Sequence, residues 1–248
     1  MTAYPVAGKQ KSFDLCLAFI KGCGGQIAGA KLREGAAVFY GVDHSNELIW
    51  RNVLARGGDW YYIDNSYFDA ARQQRFRITR NRLQHSGIGT STGERFRALG
   101  IQIQPWRAAG RHIVVCPQSL SFMHNLAGRV GDWGRQTVAD LRITTDREIR
   151  LRPWSRDKGG ASGSLAEDLV DAHALVTWSS AAAVTSVLAG VPVIVHAADC
   201  AARLMSGSDI EALPLPEREI WAGVLSDNEW TVEEMVNGTA WRALNETS

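Results

Sequence analysis

The chain has 248 residues, 45% of them hydrophobic and 21% charged, with a net charge of +1. This composition excludes a disordered, collagen-like or disulfide-scaffold protein and leaves room for one large domain or two small ones. No apolar run reaches the roughly 18–20 residues of a membrane span, Met1 opens no signal-peptide pattern, and Cys16, Cys23, Cys116 and Cys200 form no C-x-x-C pair. The expectation is a cytoplasmic chain with reduced thiols and no metal site.

Taken in chain order, Phe13-Asp-Leu-Cys-Leu-Ala-Phe-Ile20 reads as a buried strand that runs into the glycine-rich loop Lys21-Gly-Cys-Gly-Gly25. A second strand covers 36–42, and Asp43-His44-Ser45 leads into a helix to about Arg56, stopped by Gly57-Gly58. Residues 59–64 form a third strand, and the alternating Arg75-Phe-Arg-Ile-Thr-Arg80 is a basic edge strand or an extended loop. A strand then covers 111–117, a helix lies near 133–141, and Glu148-Ile-Arg-Leu-Arg-Pro153 is another strand. Lys158–Ser164 is a flexible loop, with a short helix over 165–172, a strand over 174–178, a helix over 180–189 and a strand over 192–195. The tail from 213 to 244 is amphipathic and helical. This strand–helix rhythm predicts an α/β protein of two small Rossmann-like domains, 1–108 and 109–248. Their parallel sheets are expected to face a ligand cleft.

The net charge hides a split. Residues 1–111 carry 4 Lys and 12 Arg against 8 acids, a net of +8, whereas residues 112–248 carry a net of −7. From Arg72 to Arg111 there are nine arginines and one acid, Glu94. Arginine is the cation suited to bidentate phosphate contact, so the first half predicts a polyanion partner; a solvated basic face is the simpler alternative.

The most informative segment runs from Asp171 through Thr177-Trp-Ser-Ser180 to Gly190-Val-Pro-Val193. A buried strand stops at Trp178, and hydroxyls at Ser179 and Ser180 stand where a small-residue helix begins. Helix N-termini hold phosphate well, although serine capping alone would explain the pattern. Strand, Ser-Ser, small-residue helix and Gly-x-Pro-Val together resemble the donor-binding half of GT-B glycosyltransferases of the capsule-polysaccharide type. Glu148–Pro153 is similar to that family's strand ending in Arg-Pro, and the resemblance covers roughly 112–200. Two departures stand out. Thr185 replaces a glutamate common on the donor helix, and Trp154 replaces a histidine common after Arg-Pro. The length is also short for two full GT-B domains.

The resemblance implies a transferase using a nucleotide-sugar donor and needing no metal or other cofactor. It places Gln118, Ser119, Arg152, Trp178, Ser179, Ser180 and Thr185 around the donor. A general base for the acceptor hydroxyl is expected at the carboxyl ends of the first-half strands, where Asp43, His44 and Asp64 stand; Asp43 and Asp64 could equally cap turns. His85, His112, His124, His173 and His196 have no partner pattern and read as structural. The basic first half suggests DNA as acceptor, with Arg75, Arg77, Arg80 and Arg82 on phosphates and Trp60 and Tyr62 stacking on bases. Enzymes of bacteriophage type that glycosylate hydroxymethylated pyrimidines are the model for this, and the setting would then be a host cytoplasm. The alternatives are an anionic capsule or cell-envelope glycan as acceptor, and a non-catalytic nucleic-acid-binding protein. No G-x-S-x-G, P-loop or Asp-x-Asp motif is present, and oligomeric state is left open.

Overall fold

The computed structural model describes all residues except 29–30, 70–71, 73, 129–130, 155–162 and 247–248. The chain forms two compact units, Met1–Gln84 together with the segment from Ser226 onward, and His85–Leu225. The division thus falls between Gln84 and His85 rather than near 103–112, and the tail returns to the first unit.

The first unit contains, in order, β1 (Thr2–Ala3), α1 (Gln10–Cys23), β2 (Gln26–Ile27), β3 (Ala37–Tyr40), α2 (Glu47–Ala55), β4 (Trp60–Asn65) and β5 (Arg75–Arg80). The second contains α3 (Glu94–Ala98), β6 (His112–Val115), α4 (Leu120–Asn125), α5 (Trp133–Thr144), β7 (Glu148–Leu151), α6 (Leu165–Asp168), β8 (Ala172–Thr177), α7 (Ala182–Leu188) and β9 (Val193–Val195). After α8 (Glu219–Asp227), the first unit resumes with β10 (Glu229–Thr231), α9 (Val232–Val236) and α10 (Thr239–Glu246).

The segment expected as the opening strand is instead the middle of α1. Its buried residues Ser12, Leu15, Cys16, Phe19 and Ile20 recur at helical spacing, and Gly24 closes the helix in a left-handed conformation. The half-exposed Phe13 and Leu17 fill the gaps of that pattern and make a helix look like a continuous apolar strand.

The first sheet has the order β10-β5-β4-β3-β1-β2. β1 through β4 pair in parallel, whereas β5 is antiparallel to both β4 and β10. The basic strand 75–80 is therefore an inner strand, not an edge. One face packs Tyr61, Ile63, Phe76 and Ile78 against Phe19 of α1 and the C-terminal helices. On the other, Trp50 of α2 meets Phe39, Trp60 and Tyr62 edge-on, with ring centroids 5.1, 4.6 and 6.0 Å away.

The second sheet, β7-β6-β8-β9, is parallel throughout. Every residue of β6 and β9 is buried, as β-branched runs covered on both faces require. The elements expected over 111–195 are all present with boundaries shifted by one to a few residues; the loop expected at 158–164 lies, over 158–162, outside the described residues. Gly190, with φ +75°, turns the chain into β9 beside residues 104–107. A Cβ there would stand 2.0 Å from the Pro105 carbonyl oxygen. Among the described residues no helix is long and apolar enough to cross a membrane.

Candidate functional site

In parallel sheets the loops at the carboxyl ends of the strands gather side chains from segments distant in sequence. At that end of the second sheet, the loop after β6 supplies Cys116 and Gln118, the end of β7 supplies Arg152, and the turn after β8 supplies Trp178, Ser179 and Ser180. Gln118 Nε2 donates to the buried Ser179 Oγ at 2.7 Å, so two of the predicted donor residues meet directly. The Thr177 hydroxyl donates to the Cys116 carbonyl at 2.5 Å and locks the ends of β8 and β6 together. Ser180 Oγ accepts from the Ala182 N–H at 3.2 Å at the start of α7. Burial pushes the Cys116 thiol up to about 11, against the Arg152 charge and a bond with the Ser180 side chain. The Ser180 side chain thus bonds the thiol, and the Arg152 charge acts on it from the neighbouring strand end.

Arg152 is anchored rather than free: its guanidinium bonds Asp168 and donates to the Gly163 carbonyl at 3.0 Å. Ser119, expected at the donor, caps α4 by accepting from the Phe122 N–H at 3.1 Å. Thr185 is exposed on α7, and Trp154 is half exposed beyond β7. Two residues missed in the sequence join Trp178. Trp133 and His196 lie edge-on at 5.2 Å, with centroids 6.5 and 6.1 Å from the Trp178 ring, and Trp133 Nε1 donates to His196 Nδ1 at 3.3 Å. His196 follows β9 directly, and that position at a strand's carboxyl end is the signal that could have found it.

In the first unit, Asp43 follows β3. Its Oδ1 accepts from the Ser45 N–H at 2.8 Å and the Ser45 hydroxyl at 2.6 Å. Burial alone would raise its carboxyl, but the Ser45 bonds, with His44 and Lys9 nearby, hold it below the usual carboxylate range. The side chain thus shapes the turn before α2 without capping the helix, whose N-cap residue is Asn46, and the exposed His44 stands 4.0 Å away. Asp64, at the end of β4, is paired with Arg77 across the β4–β5 register. Around it lie residues without a sequence signal: Lys11 Nζ donates to Asn65 Oδ1 at 2.8 Å, and the Tyr40 hydroxyl donates to the same oxygen at 3.2 Å. Burial and the Asp64 charge push that hydroxyl up to about 12.

The residues expected to grip a nucleic acid do not form a free surface. Arg77 is buried, bonded to Asp64 and stacked over the Tyr67 ring at 4.3 Å. Burial would lower its guanidinium, but Asp64, Tyr67 and Tyr62 together outweigh burial and raise it. Arg80 bonds Asp59 at 2.8 Å, which holds Asp59 below its ordinary range; Arg75 reaches the Glu229 carbonyl and Glu234. Trp60 and Tyr62 are 8% and 6% exposed and belong to the aromatic core around Trp50. Of the six, Arg82 alone is exposed.

Two α/β units, one with an all-parallel sheet and one with a mixed sheet, define a GT-B-like α/β fold. Solved structures with this architecture include two transferase chains of Thermosulfurimonas dismutans KpsC. The beta Kdo 2,7 transferase superposes with a TM-score of 0.56 at 12% identity, covering 100% of this chain and 99% of its own. The beta Kdo 2,4 transferase gives 0.52 at 11% identity, covering 93% and 92%. No family model matches the sequence. No curated protein matches it either.

Proposed function

We propose that the chain is a GT-B-type glycosyltransferase that moves a sugar from a nucleotide-sugar donor to a hydroxyl of an anionic capsule or cell-envelope glycan. The observation that carries this reading is the convergence of Gln118, Ser179, Ser180 and Arg152 at the carboxyl end of a parallel sheet, in a fold shared with Kdo transferases. Arg152, held by Asp168, meets the phosphate charge that grows as the leaving group departs, and the Ser180 hydroxyl and adjoining N–H groups complete the cradle. Trp178, Trp133 and His196 offer ring faces and edges to the donor's base or sugar. No cofactor beyond the donor is part of this reading. Asp43 is the preferred general base, because one Asp64 oxygen is taken by the Arg77 guanidinium and the other by the Asn65 N–H, whereas only one Asp43 oxygen is held by Ser45. Hydroxymethylated DNA is the weaker acceptor, since three of the four arginines meant for it are engaged and both aromatic rings are buried.

The test is mass analysis of products from a nucleotide-sugar panel offered with an acidic oligosaccharide and with hydroxymethylated DNA. Transfer to the saccharide, and slow donor hydrolysis without acceptor, are expected; sugar appearing only on DNA would reverse the choice. Ser180→Ala with Arg152→Gln should weaken donor binding by about 2–4 kcal/mol in calorimetry. Asp43→Asn should lower turnover by about 10²–10⁴-fold and spare donor affinity; near-normal turnover would remove Asp43 from the mechanism.

A further inference from the structure

With Arg75, Arg77 and Arg80 withdrawn into pairs, the positive charge of the first unit has to be sought elsewhere. Arg33 and Arg56 are exposed and have no carboxylate partner among the described residues. Both line one concavity of about 400 Å³. Its other walls include Leu32 and the buried Val53, and the carboxylates Glu34 and Asp59. The volume lies within the roughly 300–1,000 Å³ of small-ligand sites, and four of the nine lining residues are charged, which suits a polar ligand.

The pocket sits where β3 and β4 begin, since its residues 33–36 precede β3 and residues 58–59 precede β4. Asp43 and Asp64 lie at the other ends of those strands, about 10–20 Å away at roughly 3.3 Å per residue. A sugar unit held here cannot itself place a hydroxyl on either candidate base.

The lining selects by charge. Two unpaired guanidinium groups favour an anion. Asp59, kept ionised by bonds from Arg80 and Asn81, and Glu34 beside it repel a bare phosphate or a phosphodiester chain, yet accept bonds from hydroxyl groups. A neutral sugar would leave the arginines unmatched. What satisfies both sets is one molecule with a carboxylate and several hydroxyls.

We propose that this pocket binds a carboxylate-bearing saccharide, as an anchoring subsite for a part of the acceptor remote from the reacting end. The inference rests on the anionic-glycan reading, but its test needs neither donor nor turnover. Calorimetry on the full chain at low ionic strength would use tetragalacturonate as probe, with maltotetraose and inorganic phosphate beside it. Tetragalacturonate should bind, maltotetraose should not, and phosphate should bind far more weakly. Arg33→Gln with Arg56→Gln should weaken tetragalacturonate at least tenfold. Lys21→Gln with Arg51→Gln, the same change of net charge on exposed side chains outside the pocket, should weaken it less than threefold. All four side chains are exposed, so both variants should keep the wild-type melting profile. Equal losses in the two variants, phosphate binding as tight as the saccharide, or no saccharide binding by folded wild type would overturn the proposal. An inactive protein can pass this test and an active transferase can fail it, so the two readings fall separately.

Discussion

Replacing Arg77 by alanine should strip stability from the first unit. The side chain is 9% exposed on an inner strand, its guanidinium bonds Asp64, and its charge lies over the Tyr67 ring. Removing one partner of a buried pair costs about 3–5 kcal/mol, because the other charge is stranded. Asp64 is 32% exposed, so water offsets part of that cost, while loss of the cation–π contact adds about 0.5–2 kcal/mol. The expected loss is about 3–4 kcal/mol, which at roughly 2–4 °C per kcal/mol lowers the melting temperature by about 6–16 °C. Urea and thermal unfolding of Arg77→Ala, Asp64→Asn and the double variant would read the coupling directly. The same variants should leave the salt dependence of any DNA binding unchanged, whereas a phosphate-contacting arginine would reduce the slope by about one. A variant within about 0.5 kcal/mol of wild type, with a shallower salt slope, would refute the ion-pair argument and restore the DNA-facing strand.

Gly190→Ala should cost at least about 2 kcal/mol, because the residue needs a positive φ and its Cβ would strike the Pro105 carbonyl; a smaller loss in denaturant titration would mean that residues 104–107 yield. Glu229 is buried with its carboxylate on the Ser66 hydroxyl and the Tyr67 N–H, and burial raises it above its ordinary 4.5 despite those bonds. Its contribution to stability is therefore fully present below pH 4.5 and lost as pH rises through the raised value. The stability of wild type minus that of Glu229→Gln should fall across that window in urea titrations, and a difference that rises with pH would contradict the direction of the shift.

Much of the second unit was legible because three of its four strands, β6, β8 and β9, are largely buried apolar runs, each followed by a turn. The residues predicted for a donor could be grouped from the order of strands and turns, since parallel strands bring their carboxyl ends together by geometry alone. Ser179 and Gln118 meet for that reason. The first unit was harder. The apolar run 13–20 satisfies both a strand and a helix, and only the opposing core of Tyr61, Ile63 and Met235 selects the helical face. Whether strand 75–80 lies at an edge depends on Glu229–Thr231, which arrives 154 positions later to cover it.

The sequence by itself determined the α/β class, the strand–turn–helix segments of the second unit and the surplus of arginine in the first half. What those arginines do was decided by tertiary structure. Arg77 faces Asp64 only because β5 pairs antiparallel with β4 in one register, and Arg80 reaches Asp59 by crossing the same pair of strands. Trp60 and Tyr62 became core because Trp50 packs on their face of the sheet. A charge count is a property of composition, but a free charge depends on which acid the fold brings within bonding distance, and pairing across strands carries no local signal.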